Sequence, residues 1–225
     1  MTLQNAIMSK LYREDIWAGF VPQSEARDDQ GWNGRHPSLR RLLGSSGAKL
    51  VVDVGVWKGE STINMALAIK NAGIDGCVIA IDTFLGLVEH WKPGWFAEEQ
   101  LFRRHHGMPD LYRTFLTNVH LAGVSDYVVP MPQTSSAAAY ILRTEGILPA
   151  LVHLDAAHFY EDVLRDAEDY FALLQEGGVM IGDDYVPGWD GVIKAANEFA
   201  ARHVLPLAIE PPKWIVEKPR PKEAG

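Results

Sequence analysis

From Lys49 onward, short apolar runs alternate with longer segments whose apolar residues recur every three or four positions, a pattern that predicts a sheet with crossover helices. "KLVVDVGV" reads as a buried strand and "GESTINMALAIKNAG" as a helix stopped near Gly73, with "CVIAIDTF" as the second strand. Next come a helix, "LYRTFLTNVHLAG", a strand, "DYVVPMP", and a helix with a serine cap and a glycine stop, "SSAAAYILRTEG". "ALVHLDAA" and "GGVMIGDDY" are two more strands, separated by the helix "YEDVLRDAEDYFALLQ". After the helix "GVIKAANEFAARH", the runs "VLPLAIE" and "KWIVEK" are expected to pair antiparallel. The fold class is therefore α/β, a mostly parallel sheet flanked by helices.

Two segments depart from this rhythm. Residues 1–48 combine a helical apolar pattern (Ile7, Leu11, Ile16) with the polar, aromatic-tipped "SEARDDQGWNGRHPS", which reads as an N-terminal helical extension. Residues 86–110, "GLVEHWKPGWFAEEQLFRRHHGMPD", form a long insertion rich in Trp, Phe and His. A short loop suffices to reverse a chain, so this one is expected to be a lid, with Trp91 and Trp95 over a substrate, the alternative being a packed surface hairpin or helix. The main domain then runs over 49–217 and a flexible tail over 218–225.

A 47% hydrophobic content in 225 residues supports one substantial core. With 21 Lys plus Arg against 29 Asp plus Glu, the net charge of −8 disfavours a nucleic-acid partner and suits a metal ion or small cationic ligand. Cys77, the only cysteine, excludes an internal disulfide and a cysteine-rich zinc site, and reads as a small buried strand residue. The opening "MTLQNAIMSKLYREDIW" lacks signal-peptide character, and no window approaches the roughly 18 apolar residues of a membrane span. A soluble, cytoplasmic protein with no membrane partner is expected; a homo-oligomer is left open.

In an open parallel sheet, ligands bind beyond the carboxyl ends of the strands. Here those ends carry Asp53 and Gly55, Asp82, Gln133 to Ser135, Asp155, and Asp183 with Asp184. Unpaired buried carboxylates are costly, so a shared ligand or cation is the economical explanation. Gly55 and Gly59 lie between a strand and a helix, where missing side chains let a ligand approach backbone N–H groups. Asp82 stands where an acidic residue accepts hydrogen bonds from ribose hydroxyls. "PQTSS" offers polar groups to an adenine, although helix-capping serines would look the same. Asp155, Asp183 and Asp184 present hard oxygens suited to Mg²⁺ or another divalent ion. His158, three residues after Asp155, is a candidate general base, because imidazole ordinarily titrates near neutrality; packing or metal ligation is its other reading. His153 reads as a satisfied core histidine, and His105 with His106 as a solvated surface pair.

The pattern D-x-G-x-x-x-G in "DVGVWKG" resembles the first motif of Rossmann-like S-adenosylmethionine (SAM) dependent methyltransferases. Together with "AIDTFLG", "LVHLDAAHFYEDVLRDAEDYFALLQEGGVMIGDDY" and "GVIKAANEF", the chain from about Lys49 to Ala201 resembles the macrocin O-methyltransferase family. That resemblance implies a seven-stranded sheet with an antiparallel last strand and a Mg²⁺-dependent O-methyl transfer to a small hydroxylated acceptor. It implies Asp155, Asp183 and Asp184 as metal ligands, with Asp155 also near the methionine end of SAM. Asp53, Gly55, Gly59 and Ser61 would bind the amino-acid part of SAM, Asp82 the ribose, and Gln133 and Ser135 the adenine. His158 takes the place of the catalytic base; Trp57, in the first loop, is expected to pack on the cofactor. The chain is short at its N-terminus for this family. Two alternatives stand beside this reading. One is an NAD(P) oxidoreductase, disfavoured because G-x-G-x-x-G is missing and acidic Glu60 follows Gly59. The other is a non-catalytic metal- or ligand-binding protein of the same fold.

Overall fold

A computed structural model of the chain describes residues 1–28, 30–91 and 104–221. Its first half runs α1 (Leu3–Leu11), α2 (Pro37–Ser46), β1 (Leu50–Val54), α3 (Glu60–Asn71), β2 (Cys77–Asp82), the short hairpin β3 (Arg104–His105) and β4 (Met108–Pro109), and α4 (Leu111–Leu121). Its second half runs β5 (Val128–Pro132), α5 (Ser135–Thr144), β6 (Leu151–Leu154), α6 (Tyr160–Leu173), β7 (Val179–Gly182), α7 (Asp190–Arg202), β8 (Ala208–Glu210) and β9 (Lys213–Glu217).

Seven strands form one sheet in the order β5-β2-β1-β6-β7-β9-β8. The pairs from β5 to β7 are parallel, whereas β9 runs antiparallel to both β7 and β8. This is the Rossmann-like arrangement expected, including the antiparallel pairing of the last two runs. Every residue of β1 is buried, because helices cover both faces. Val52, Val54, Val152 and Met180 join the apolar cluster with α1, α5, α6 and α7; Val51, Leu151 and Ile181 join that with α2, α3 and α4. Cys77 is fully buried in β2. From β1 the chain builds outward to β2 and β5, then returns to place β6 on the other side of β1. The strand order thus reverses between β1 and β6, and a crevice opens at such a point.

The N-terminal segment covers an otherwise free sheet edge. Ile7 and Met8 of α1 are in the core, the Tyr12 hydroxyl donates to the carbonyl of Pro130 at 2.7 Å, and Trp17 Nε1 donates to that of Val128 at 2.9 Å. One local expectation is corrected. Thr134, not a serine, caps α5 by accepting from the N–H of Ala137, because the Ser135 hydroxyl is turned to Asp166. Of the expected lid over 86–110, a 3₁₀ turn at Val88–Trp91 and the β3–β4 hairpin are described. Residues 92–103, with Trp95, and the last four residues of the expected tail lie outside the described residues. Among the described residues, no helix is long and apolar enough to cross a membrane.

Candidate active site

Backbone pairing continues one residue past the strands. Gly55 N–H donates to Ile81 at 2.8 Å, Asp155 N–H to Val54 at 2.8 Å, Asp183 N–H to Leu154 at 3.0 Å and Gln133 N–H to Asp82 at 3.0 Å. The predicted residues are thereby aligned along one sheet edge, where a cavity of about 700 Å³ opens. That volume suits a cofactor-sized small molecule. Gly55, Asp82, Gln133, Ser135, Asp155, His158, Asp183 and Asp184 all line it.

Asp53, Gly59 and Ser61 are not among its lining residues. Asp53 is fully buried beneath the site, where it accepts from the hydroxyls of Ser61 at 2.8 Å and Thr62 at 2.5 Å and pairs with His153 Nδ1 at 2.7 Å. Strand alternation turns it, with Val51, toward α3 rather than toward the strand end. His153 is the satisfied core histidine expected, with its other nitrogen 3.0 Å from Lys213 Nζ. Gly59 instead enters α3 at φ 96°, and a Cβ there would press on the Phe115 ring at 3.0 Å.

Asp82 is the acceptor for two tight turns. One oxygen takes the N–H of Trp57 at 2.9 Å and the other that of Phe84 at 2.7 Å. Trp57 (φ 51°) and Phe84 (φ 55°) both adopt left-handed backbone, an uncommon conformation for such bulky residues. Burial pushes the Asp82 carboxyl above its ordinary range; the N–H groups of Phe84 and Trp57 pull it down and Asp53 raises it. The N–H of Val56 also lowers it, and the carboxylate keeps its remaining acceptor capacity for a ligand hydroxyl.

Also in the cavity wall, buried Asp166 accepts from the Ser135 hydroxyl at 2.5 Å, and Tyr170 O–H donates to the Ser135 carbonyl at 3.0 Å. Burial raises the Asp166 carboxyl to about 6, with Ser135 opposing and Asp162 and Asp169 adding to the rise. The folded state thus holds this proton to higher pH than the unfolded chain does. The Asp166 contribution to stability therefore falls as pH rises from about 4 to about 6 and stays reduced above that. Asp166→Asn is expected to gain about 1–3 kcal/mol on the wild type between pH 4.5 and 7.5, read by denaturant unfolding.

Around β6 and β7 the acidic residues divide. Donor atoms within 4.8 Å of one another occur in two sets, Asp155–His158–Asp184 and His153–Asp155–Asp183, so Asp155 is shared while Asp183 and Asp184 fall in different sets. His158 Nε2 lies 2.8 Å from Asp184 Oδ2, and its ring stacks on Trp189 with centroids 4.2 Å apart. A carboxylate only accepts, so Nε2 carries the hydrogen and the neutral ring keeps its lone pair on Nδ1. Asp183 pairs with buried Lys213 at 2.5 Å and accepts the N–H of Asp184 at 2.8 Å. Burial, with further repulsion from Asp183, pushes the Asp155 carboxyl well above its ordinary range; Lys213 opposes this, and Asp184 and Asp53 add to it.

Several wall residues were not singled out from sequence as site residues: Trp32, Asn33, His90, Asp166 and Trp189. Trp57 stacks on His90 at 4.6 Å, lies 5.6 Å from Trp32, and donates through Nε1 to Gln30 at 2.7 Å. The N-terminal extension therefore forms part of the wall, and the aromatic residue in "QGWNGRHPS" was the available signal. Glu60 is occupied by the same segment, pairing with Arg35 at 2.9 Å and accepting the N–H of Gly34 at 3.2 Å. It does not line the cavity, so its charge is a weaker argument against a phosphate ligand than the sequence suggested.

The fold and its crevice are those of a Rossmann-like α/β protein with a small-molecule site at the strand ends. Residues 52–185 match the family described as methyltransferase domain, and the chain belongs to that family. Among solved structures it is similar to the O-methyltransferase NovP, at 20% identity over 83% of this chain and 80% of that one, with a TM-score of 0.61. It is similar to the O-methyltransferase TomG from Streptomyces achromogenes, solved with SAM, at 14% identity over 98% and 100% of the two chains, with a TM-score of 0.59. It is also similar to an O-methyltransferase from Bacillus cereus, solved with SAH, at 16% identity over 96% and 90%, with a TM-score of 0.56. No curated protein matches the chain.

Proposed function

We propose that this protein is a SAM-dependent, divalent-metal-dependent O-methyltransferase acting on a hydroxyl group of a small sugar, polyol or phenolic molecule, as the resemblance to the macrocin O-methyltransferase family implies. The observation that carries the reading is a single cavity with the Asp82 carboxylate near one wall and the Asp155–His158–Asp184 group at another. The SAM-bound and SAH-bound neighbours share this fold.

In this reading Asp82 accepts the ribose hydroxyls, Gln133 and Ser135 approach the adenine, and Gly55 lets the methionine end lie against the backbone. SAM supplies an electrophilic methyl group there. The donor chemistry fits a divalent cation, since hard carboxylates converge and Asp155 is acidic only if its charge is compensated. Asp155 and Asp184 would hold the ion, with Asp183 beside them, and Mg²⁺ there would supply Lewis acidity toward an acceptor hydroxyl. His158 takes the acceptor proton at Nδ1, while Asp184 and Trp189 fix the tautomer and the ring plane. Trp32 and Trp57 offer flat apolar surface that excludes water.

The test is methyl transfer from labelled SAM to a panel of vicinal diols and catechols. Transfer with Mg²⁺ is expected to be lost in EDTA and restored by Mg²⁺. His158→Ala is expected to lower turnover about 10²–10³-fold with SAM affinity within about twofold. Equal turnover in EDTA would remove the metal, and a parallel loss of SAM binding would make His158 a cofactor residue.

A further inference from the structure

Lys213 is fully buried, an unusual place for a lysine, and the sheet register explains what holds it there. Asp53 pairs with His153, His153 with Ile181, and Ile181 with Ile215 across β1, β6, β7 and antiparallel β9. Asp183 lies two residues beyond Ile181 and Lys213 two residues before Ile215, so all four polar residues share one sheet face. The Lys213 ammonium contacts Asp183 Oδ2 at 2.5 Å and His153 Nε2 at 3.0 Å, and His153 Nδ1 meets Asp53 Oδ1 at 2.7 Å. An ammonium has no lone pair, so His153 accepts through Nε2 and donates from Nδ1. Both oxygens of Asp183 are engaged, one by Lys213 and one by the Asp184 N–H.

We propose that Lys213 is the resident cation of this site: it holds Asp183 as its own counter-ion and leaves Asp155 and Asp184 as the carboxylates that bind a divalent ion. The inference rests on the metal half of the proposed function and revises it, because the three aspartates then have unequal parts. Lys213 also ties the metal side to the strand that carries Gly55, through His153 and Asp53. It is a positioning residue, since it is not among the residues that line the cavity. A fixed positive charge this close opposes a second cation, so removing it strengthens metal binding rather than weakening it.

The experiment is Mn²⁺ titration of the full-length protein, followed by electron paramagnetic resonance without SAM or acceptor, with SAM binding measured on the same samples. Lys213→Met is expected to bind Mn²⁺ about tenfold or more tightly. In the Lys213 background, Asp183→Asn leaves the lysine charge uncompensated and is expected to lower Mn²⁺ affinity about tenfold, whereas Asp184→Asn, which removes a ligand, is expected to lower it more than about a hundredfold. The second comparison stands even if Lys213→Met does not fold. Unchanged or weaker binding by folded Lys213→Met overturns the proposal, as does an Asp183→Asn loss equal to that of Asp184→Asn. Binding by Lys213→Met but not by the wild type overturns the claim that Asp155 and Asp184 hold an ion beside Lys213. Binding by neither overturns this claim and the metal half of the proposed function, while SAM binding still reports on the methyltransferase reading.

Discussion

Gly55→Ala is expected to destabilise the protein by about 3–5 kcal/mol and to abolish SAM binding in whatever fraction stays folded. Gly55 has φ 83°, a left-handed conformation that penalises any side chain. A Cβ there would also stand 2.0 Å from the carbonyl oxygen of Asp155 and 2.5 Å from Cα of Ala156. Both obstacles are backbone, held by the bond from Asp155 N–H to Val54, so neither yields by a rotamer change. The strand ends must spread, and the spreading falls between β1 and β6, where the cavity opens. Gly59→Ala is the informative contrast, since its Cβ meets side chains alone, the Phe115 ring edge at 3.0 Å and Ile63 Cδ1 at 3.6 Å, away from the cavity lining. It is expected to cost less than Gly55→Ala and to leave the SAM site formed. Thermal unfolding of the two variants, with SAM titration of each, checks both halves. A Gly55→Ala protein that melts with the wild type and binds SAM would contradict this account of the crevice.

Asp82→Ala is expected to lower SAM affinity by about 10²-fold or more and stability by about 1–3 kcal/mol. The carboxylate organises the turns after β1 and β2 through the N–H groups of Trp57 and Phe84. Its loss leaves the N–H groups of Trp57 and Phe84 unanswered in left-handed turns and removes the proposed ribose acceptor from the wall. Asp82→Asn separates these effects, because its carbonyl can still accept while its amide can only donate on the other side. An intermediate affinity is expected for it.

The strands and helices of the main sheet were legible because each is built on local apolar periodicity, as in "KLVVDVGV" and "YEDVLRDAEDYFALLQ". The strand-end rule brought Asp82, Asp155, Asp183 and Asp184 to one edge from sequence alone. It failed for Asp53 because alternation within β1 decides which way a side chain points, and Asp53 lies within the strand. Lys213 was passed over since a lysine at the start of "KWIVEK" reads as a solvated strand end; only the pairing of β9 with β7 sets it against Asp183. The aromatic Trp32 was the one hint that the N-terminal segment joins the wall, but where it and Gln30 pack was not legible. Their contacts to Trp57 form across the fold, and no local pattern specifies them.

The central claim is that the cavity between β1 and β6 is a SAM site, and calorimetric titration of SAM into the wild-type protein tests it most directly. One molecule per chain is expected to bind, with affinity lost about 10²-fold or more in Asp82→Ala. Absence of SAM binding by the wild type, or equal binding by Asp82→Ala, would contradict the claim.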